Sequence, residues 1–180
     1  MTSTPPRATR EGTLPSCTSE QFFEEDPYYT GPPLTDEMVR AAEAHLGVRL
    51  PRTYLALLAQ RNGGTPRRRC LRTPFPTSWA PDHFEIRGLR GLGGAWGIDS
   101  EDLGSRYLVG EWCYPDIGVV VCDTPSGGHD TVMLDYSECG PTGEPAVAYV
   151  DEDRVPRRVA ATFEQFIAAL EDRAGLTAPD

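Results

Sequence analysis

Lysine is absent from this chain: the 17 basic residues are all arginine, set against 27 aspartates and glutamates. The resulting net charge of −10, with a pI near 4.8, argues against nucleic acid as a partner, because such a surface repels phosphate backbones. Long apolar runs are missing too. No stretch approaches the ~20 residues that a membrane-crossing helix needs. The opening MTSTPPRATREGTLPSCTSE lacks the apolar centre of a secretion signal, so the expected address is the cytoplasm, with no membrane contact. Cysteine is sparse: Cys17, Cys70, Cys113, Cys122 and Cys139 are odd in number and follow no disulfide spacing. In a reducing compartment they are free thiols. What remains is 39% hydrophobic residues over 180 positions, enough for one core.

Residues 1–26 are rich in Thr, Pro, Ser and charge and read as a flexible tail, whose end, with Phe22–Phe23, Tyr28 and Tyr29, can pack on the domain. Residues 27–175 read as a single domain, and 176–180 as a frayed end. Thr35 is a good N-cap, followed by Asp36 and Glu37 at the positive end of a helix dipole. Met38, Ala41, Ala42, His45 and Leu46 recur at helical spacing until Gly47, which supplies a left-handed cap. A second helix is expected to open at Pro51, with Tyr54, Leu55, Leu57 and Leu58 inward, and to stop at Asn62-Gly63-Gly64. Residues 65–82 read as irregular or edge structure. HFEIRGL (83–89) alternates like one strand. Tyr107, Leu108 and Trp112 are expected on one side of a short helix.

Next come three strand-like runs: IGVVVCD (117–123), apolar throughout and expected to be central, TVMLDY (131–136) and AVAYVD (146–151). The first two, joined by turn residues, make a hairpin. From Thr162 a closing helix repeats Phe163, Phe166, Ile167 and Leu170. An N-terminal helix pair, a central antiparallel sheet and a C-terminal helix packed on it define the α+β class.

Taken in order, these segments resemble a known family. LPRTYLALLAQRNGG (50–64) is similar to the Leu-Pro…Tyr…Leu-Leu…Asn-Gly-Gly signature of the SUKH superfamily, the Smi/Knr-type cell-wall assembly regulator-like domains. The run from Tyr114 to Asp153 resembles the central hairpin of its bacterial immunity-protein branch, and FEQFIAAL its closing helix. The resemblance covers roughly residues 34–171. It implies a domain without a shared catalytic set or cofactor, which acts by binding protein: an immunity protein that neutralises a polymorphic toxin, or a regulatory adaptor with an endogenous partner.

Several constellations invite chemistry. Cys113, Cys122, His129 and Cys139 are zinc-ligand types, but their gaps of 8, 6 and 9 residues lack the tight pairs that structural zinc sites use. Ser126, His129 and Asp130 are the residue types of a hydrolase triad. Near neighbours in sequence cannot form the nucleophile–base–orienter line, so a turn capped by His129 or Asp130 is expected, with a metal- or His-dependent hydrolase using His129 and Asp123 or Asp130 as the remaining alternative. In GLGGAWG, Trp96 stands where a dinucleotide fingerprint needs its third glycine, leaving a connection between strands. Arg67, Arg68, Arg69 and Arg72 make a basic cluster without interleaved aromatics, expected to pair with acidic residues of the same domain.

A surface constellation is left. Asp99, Glu101, Asp102, Glu111 and Asp116 lie around Trp96, Trp112 and Tyr114, and Asp123, Asp130, Asp135 and Glu138 mark the hairpin. Interfaces concentrate energy in Trp and Tyr while carboxylates steer a basic partner. These twelve residues are the expected partner-binding set, and a basic nuclease toxin is the partner they would suit. The competing reading buries the two tryptophans in the core and makes the acids a solvated face.

Overall fold

The computed structural model describes residues 22–173 and residue 176. Helix α1 spans Asp36–Leu46. Its capping is local chemistry: the Met38 amide donates to Thr35 Oγ1 at 3.2 Å, and Gly47, at φ 74°, returns its N–H to the Glu43 carbonyl. Ala42 is buried and Met38, Val39 and Leu46 pack inward, whereas Ala41 and His45 of the expected stripe face solvent. Helix α2 spans Arg52–Gln60 with Pro51 as its N-cap, so it opens one position later than expected. Tyr54 and Leu58 point into the core, and the Tyr54 hydroxyl donates to the Arg90 carbonyl at 2.6 Å.

Two antiparallel sheets follow. Strands β1 (Cys70–Arg72) and β2 (His83–Glu85) form a small pair. Strands β3 (Gly88–Leu89), β4 (Gly118–Asp123), β5 (Thr131–Asp135), β6 (Ala146–Val150) and β7 (Pro156–Ala160) make a five-stranded sheet in that order. The run 83–89 is therefore not one strand. Phe84, Ile86 and Gly88 are all buried, as the alternation predicts. The backbone nevertheless changes partner midway, the Ile86 amide donating to Arg69 and the Arg87 amide to Asp123. Strand β7 was not expected: its Pro-Arg-Arg start belongs to an edge strand, where a missing N–H and solvated charges are tolerated. Strand β4 is interior, but β5 is the middle strand.

Helix α3 (Ser105–Glu111) and helix α4 (Phe163–Ala168) complete the fold. Thr162 caps α4, accepting from the Gln165 amide at 3.2 Å, and Phe163 and Phe166 close over the sheet. The main core lies between the sheet and helices α1, α2 and α4. The N-terminal segment joins it through Phe22 and Phe23, which are buried. A smaller cluster on the opposite face holds Leu108, Tyr114, Val120, Met133 and Val150. Strand β4 carries a bulge between Val120 and Cys122. Val119, Val121 and Cys122 face the main core and Val120 faces away.

Candidate functional site

At the β4–β5 turn end of the sheet, three separate pieces of chain converge. The first, the segment before α1, is drawn there by the end of α2. Asn62 is 3% exposed; its Nδ2 donates to the Pro32 and Leu92 carbonyls (2.6 and 2.7 Å) and its Oδ1 accepts from the Leu92 amide (2.8 Å). Arg61 holds the same segment, donating to the Glu24 and Asp26 carbonyls and to Thr30 Oγ1. Gly63, at φ 88°, lets the Tyr29 backbone approach, and Gly88 leaves room for the Tyr29 ring. Tyr28 and Tyr29 are thereby set 5.1 and 5.2 Å from the Trp96 ring, centroid to centroid.

Helix α3 builds the opposite wall. Its first residue, Ser105, accepts the Val120 amide on Oγ at 2.8 Å, which pins the helix to β4 beside the bulge. Cys113 takes a positive φ of 56° and turns the chain back, so that Tyr114 donates to the Gly128 carbonyl at 2.6 Å. The Trp112 ring packs against Gly128, where a side chain would overlap it. The hollow between them, open to solvent, has a volume of about 260 Å³, and its lining includes Tyr28, Tyr29, Trp96, Trp112 and Tyr114.

Arg90 and Asp123 lie at its base. Arg90 is 3% exposed; Nε and Nη2 both reach Asp123 Oδ1 (2.8 and 2.7 Å) and Nη1 donates to the Leu103 carbonyl at 2.6 Å. A buried guanidinium satisfied in this way is tolerable where an unpaired one is not. Burial pushes the Tyr114 phenol up to about 12 and raises Tyr29 as well, so these walls stay neutral.

No nucleophile and base are aligned at this end. Ser126 Oγ lies 2.7 Å from Thr124 Oγ1 and accepts the Asp130 amide at 3.0 Å. His129 is exposed, with Nδ1 3.6 Å from Glu152 Oε1. The backbone of the loop is thus capped by the Thr124 and Ser126 hydroxyls and not by a His129 or Asp130 side chain as expected; the Asp130 carboxylate instead accepts from Thr124 Oγ1. Cys122 is sealed in β4, its thiol pushed up by burial, whereas Cys113 and Cys139 are exposed. Among the described residues no three His, Cys, Asp or Glu side chains gather closely enough to hold a metal ion.

The profile of the SMI1 / KNR4 family (SUKH-1) matches residues 33–169, from just before α1 to the end of α4. The chain belongs to this family. Comparison with curated proteins and with solved structures gives no match. SUKH-1 membership supports a protein-binding domain of the immunity or regulator kind. No helix among the described residues is long and apolar enough to cross a membrane.

Within this SUKH-1 domain the twelve expected residues separate into groups. Trp96, Trp112, Tyr114 and Asp123 line the hollow. Asp130 also borders it, but its carboxylate is 1% exposed and takes donors from Trp79 Nε1 (3.0 Å), the Tyr149 hydroxyl (2.6 Å) and Thr124. Asp99 turns inward to accept the Gly93 amide at 2.7 Å and closes the glycine turn. Glu101, Asp102, Glu111 and Asp116 are exposed around α3, without ion pairs among the described residues. Asp135 and Glu138 lie at the opposite end of β5, where Asp135 accepts the Ser137 amide (2.9 Å) and Glu138 pairs with Arg158 (3.3 Å).

Trp112 is 39% exposed and Tyr107 40% exposed, so of the expected α3 stripe only Leu108 is buried. Of the basic cluster, Arg69 pairs with Glu24 and Glu85, and Arg72 with Asp82 and Glu171, as expected of them. Tyr28, Tyr29, Arg87 and Arg90 border the hollow but were missing from the expected set. The adjacent aromatic pair was the available signal for the first two. Nothing local marks Arg90 for burial.

Proposed function

We propose that this SUKH-1 domain is a non-catalytic immunity protein that neutralises a toxin by docking it at the hollow-bearing end of the sheet. The observation that carries this reading is the pairing of exposed aromatic surface, Tyr28 and Trp112, with the exposed carboxylates of Glu101, Asp102, Glu111 and Asp116, which make no ion pair among the described residues. Aromatic anchors concentrate binding energy at interfaces, while exposed carboxylates set the encounter rate and the preference for a basic surface. A basic toxin such as a nuclease fits that charge. The carboxylates compete with phosphate for its cationic cleft.

Purification of the native complex, with the partner identified by mass spectrometry, is the direct test. Affinity for the recovered toxin should fall at least tenfold between about 50 mM and about 300 mM salt, as screened charges predict. Indifference to salt would remove the charge-mimicry part. A toxin domain whose activity is unchanged at saturating concentrations of this protein would remove the immunity reading altogether.

A further inference from the structure

We propose that the hollow receives an arginine side chain of the docked partner; the proposal rests on the docking reading above and names the group recognised. At about 260 Å³ the space is smaller than the usual small-molecule pocket and suits a single long side chain. Five of the residues that line it are aromatic, and ring faces carry the negative part of the π quadrupole, which attracts cations. The domain already stacks guanidinium groups on two of these rings: Arg90 lies 5.7 Å from the Trp96 centroid and Arg154 lies 4.7 Å from that of Tyr114.

The base supplies an acceptor. Both Arg90 nitrogens contact Oδ1 of Asp123, so Oδ2 has no hydrogen-bond partner among the described residues, and the carboxylate is 19% exposed. A planar guanidinium can stack on an aromatic face and still donate in its own plane, which an ammonium cannot do. The exposed carboxylates around α3 bias the approach towards a cation. One group opposes it: Arg87 also lines the hollow, is exposed, and makes no ion pair among the described residues. Removing Arg87 therefore tests the sign of the occupant.

The experiment follows the ¹⁵N-indole resonances of Trp96 and Trp112 in the full chain during titration with N-acetyl-arginine amide. Saturable shifts are expected at both, at least threefold tighter than with N-acetyl-lysine amide. N-acetyl-citrulline amide, isosteric and uncharged, should give no saturable response. Arg87→Ala should tighten arginine binding at least twofold, and Trp112→Ala should weaken it at least threefold with the circular dichroism of the fold retained. No arginine response, an equal response to citrulline, or weaker binding in Arg87→Ala would each overturn the assignment. A toxin that still binds in a salt-sensitive way despite such a result leaves docking standing and removes the arginine alone; failure of any toxin to bind removes docking, whatever the indoles report.

Discussion

Replacing Asn62 with alanine removes three hydrogen bonds from the point where the segment before α1, the end of α2 and the glycine turn meet. The consequences differ among the partners. The Pro32 carbonyl is only partly buried and can turn to water, whereas the Leu92 amide and carbonyl are buried and cannot. Leaving a buried polar group unsatisfied costs about 1–3 kcal/mol, so the two Leu92 groups together lose about 2–6 kcal/mol. A water molecule admitted into the vacated polar space recovers part of this, which sets the expectation at about 2–4 kcal/mol. That is a large share of the ~5–15 kcal/mol by which a typical domain is stable. With a urea dependence of about 2 kcal/mol per molar, the unfolding midpoint should drop by about 1–2 M. Tryptophan fluorescence and far-ultraviolet circular dichroism would report the transition. Asn62→Asp keeps the acceptor but sets a carboxylate against two carbonyl oxygens, and at neutral pH it should be no better than alanine. A midpoint within about 0.3 M of the parent for either variant would refute the claim that this side chain fastens the three segments.

Two further outcomes follow from the site and the core. Gly128→Ala strains a backbone held at φ 101° and drives a methyl group into the Trp112 ring, so it should lose about 1–2 kcal/mol and redden Trp112 emission. Gly127→Ala, at φ 69° with open space around it, should show the backbone strain without the emission change; equal spectra for the two would contradict the packing of Trp112 on Gly128. Burial raises the phenols of Tyr29, Tyr54, Tyr114, Tyr136 and Tyr149, to about 12 for Tyr114. Their folded-state pKa lies above the unfolded value of 10.0, so the stability they contribute is complete below pH 10 and is lost as pH rises through the folded values. Phenolate absorbance should appear late and together with unfolding; smooth titration of all seven tyrosines around pH 10 in a still-folded chain would exclude these burials.

Much of the scaffold was legible because its signals are local. Thr35 and Gly47 bracket α1 through bonds to residues three and four positions away, and the apolar runs of β4, β5 and β6 announce an interior sheet. Strand β7 was hidden because Pro156, Arg157 and Arg158 carry the chemistry of an exposed edge, and only pairing with β6 makes them a strand. The break within 83–89 was hidden because burial alternates straight through it while the hydrogen-bonding partner changes, and the partner is a tertiary fact. At the site, residue types were readable and directions were not. Asp99 and Asp130 satisfy nearby amides and hydroxyls and so turn away from solvent. The distance of Asp135 from Thr131 could have been read from strand length, since four residues at ~3.3 Å each place it about 13 Å along β5.

The extra residue in β4 has a consequence for which side of the molecule is chemically addressable. Past Val120 the inside–outside phase of the strand slips by one, since Val121 and Cys122 both turn to the same apolar layer. With strict alternation, position 123 would point into that layer, and a carboxylate there would meet hydrocarbon instead of Arg90. Deleting the unpaired Val121 would leave Cys122 opposite Val132 and Asp123 opposite Thr131, so the carboxylate would keep its side; a regular strand that retained every residue would bury it. For this run of residues, the placement of Asp123 beside Arg90 therefore depends on an irregularity in the backbone.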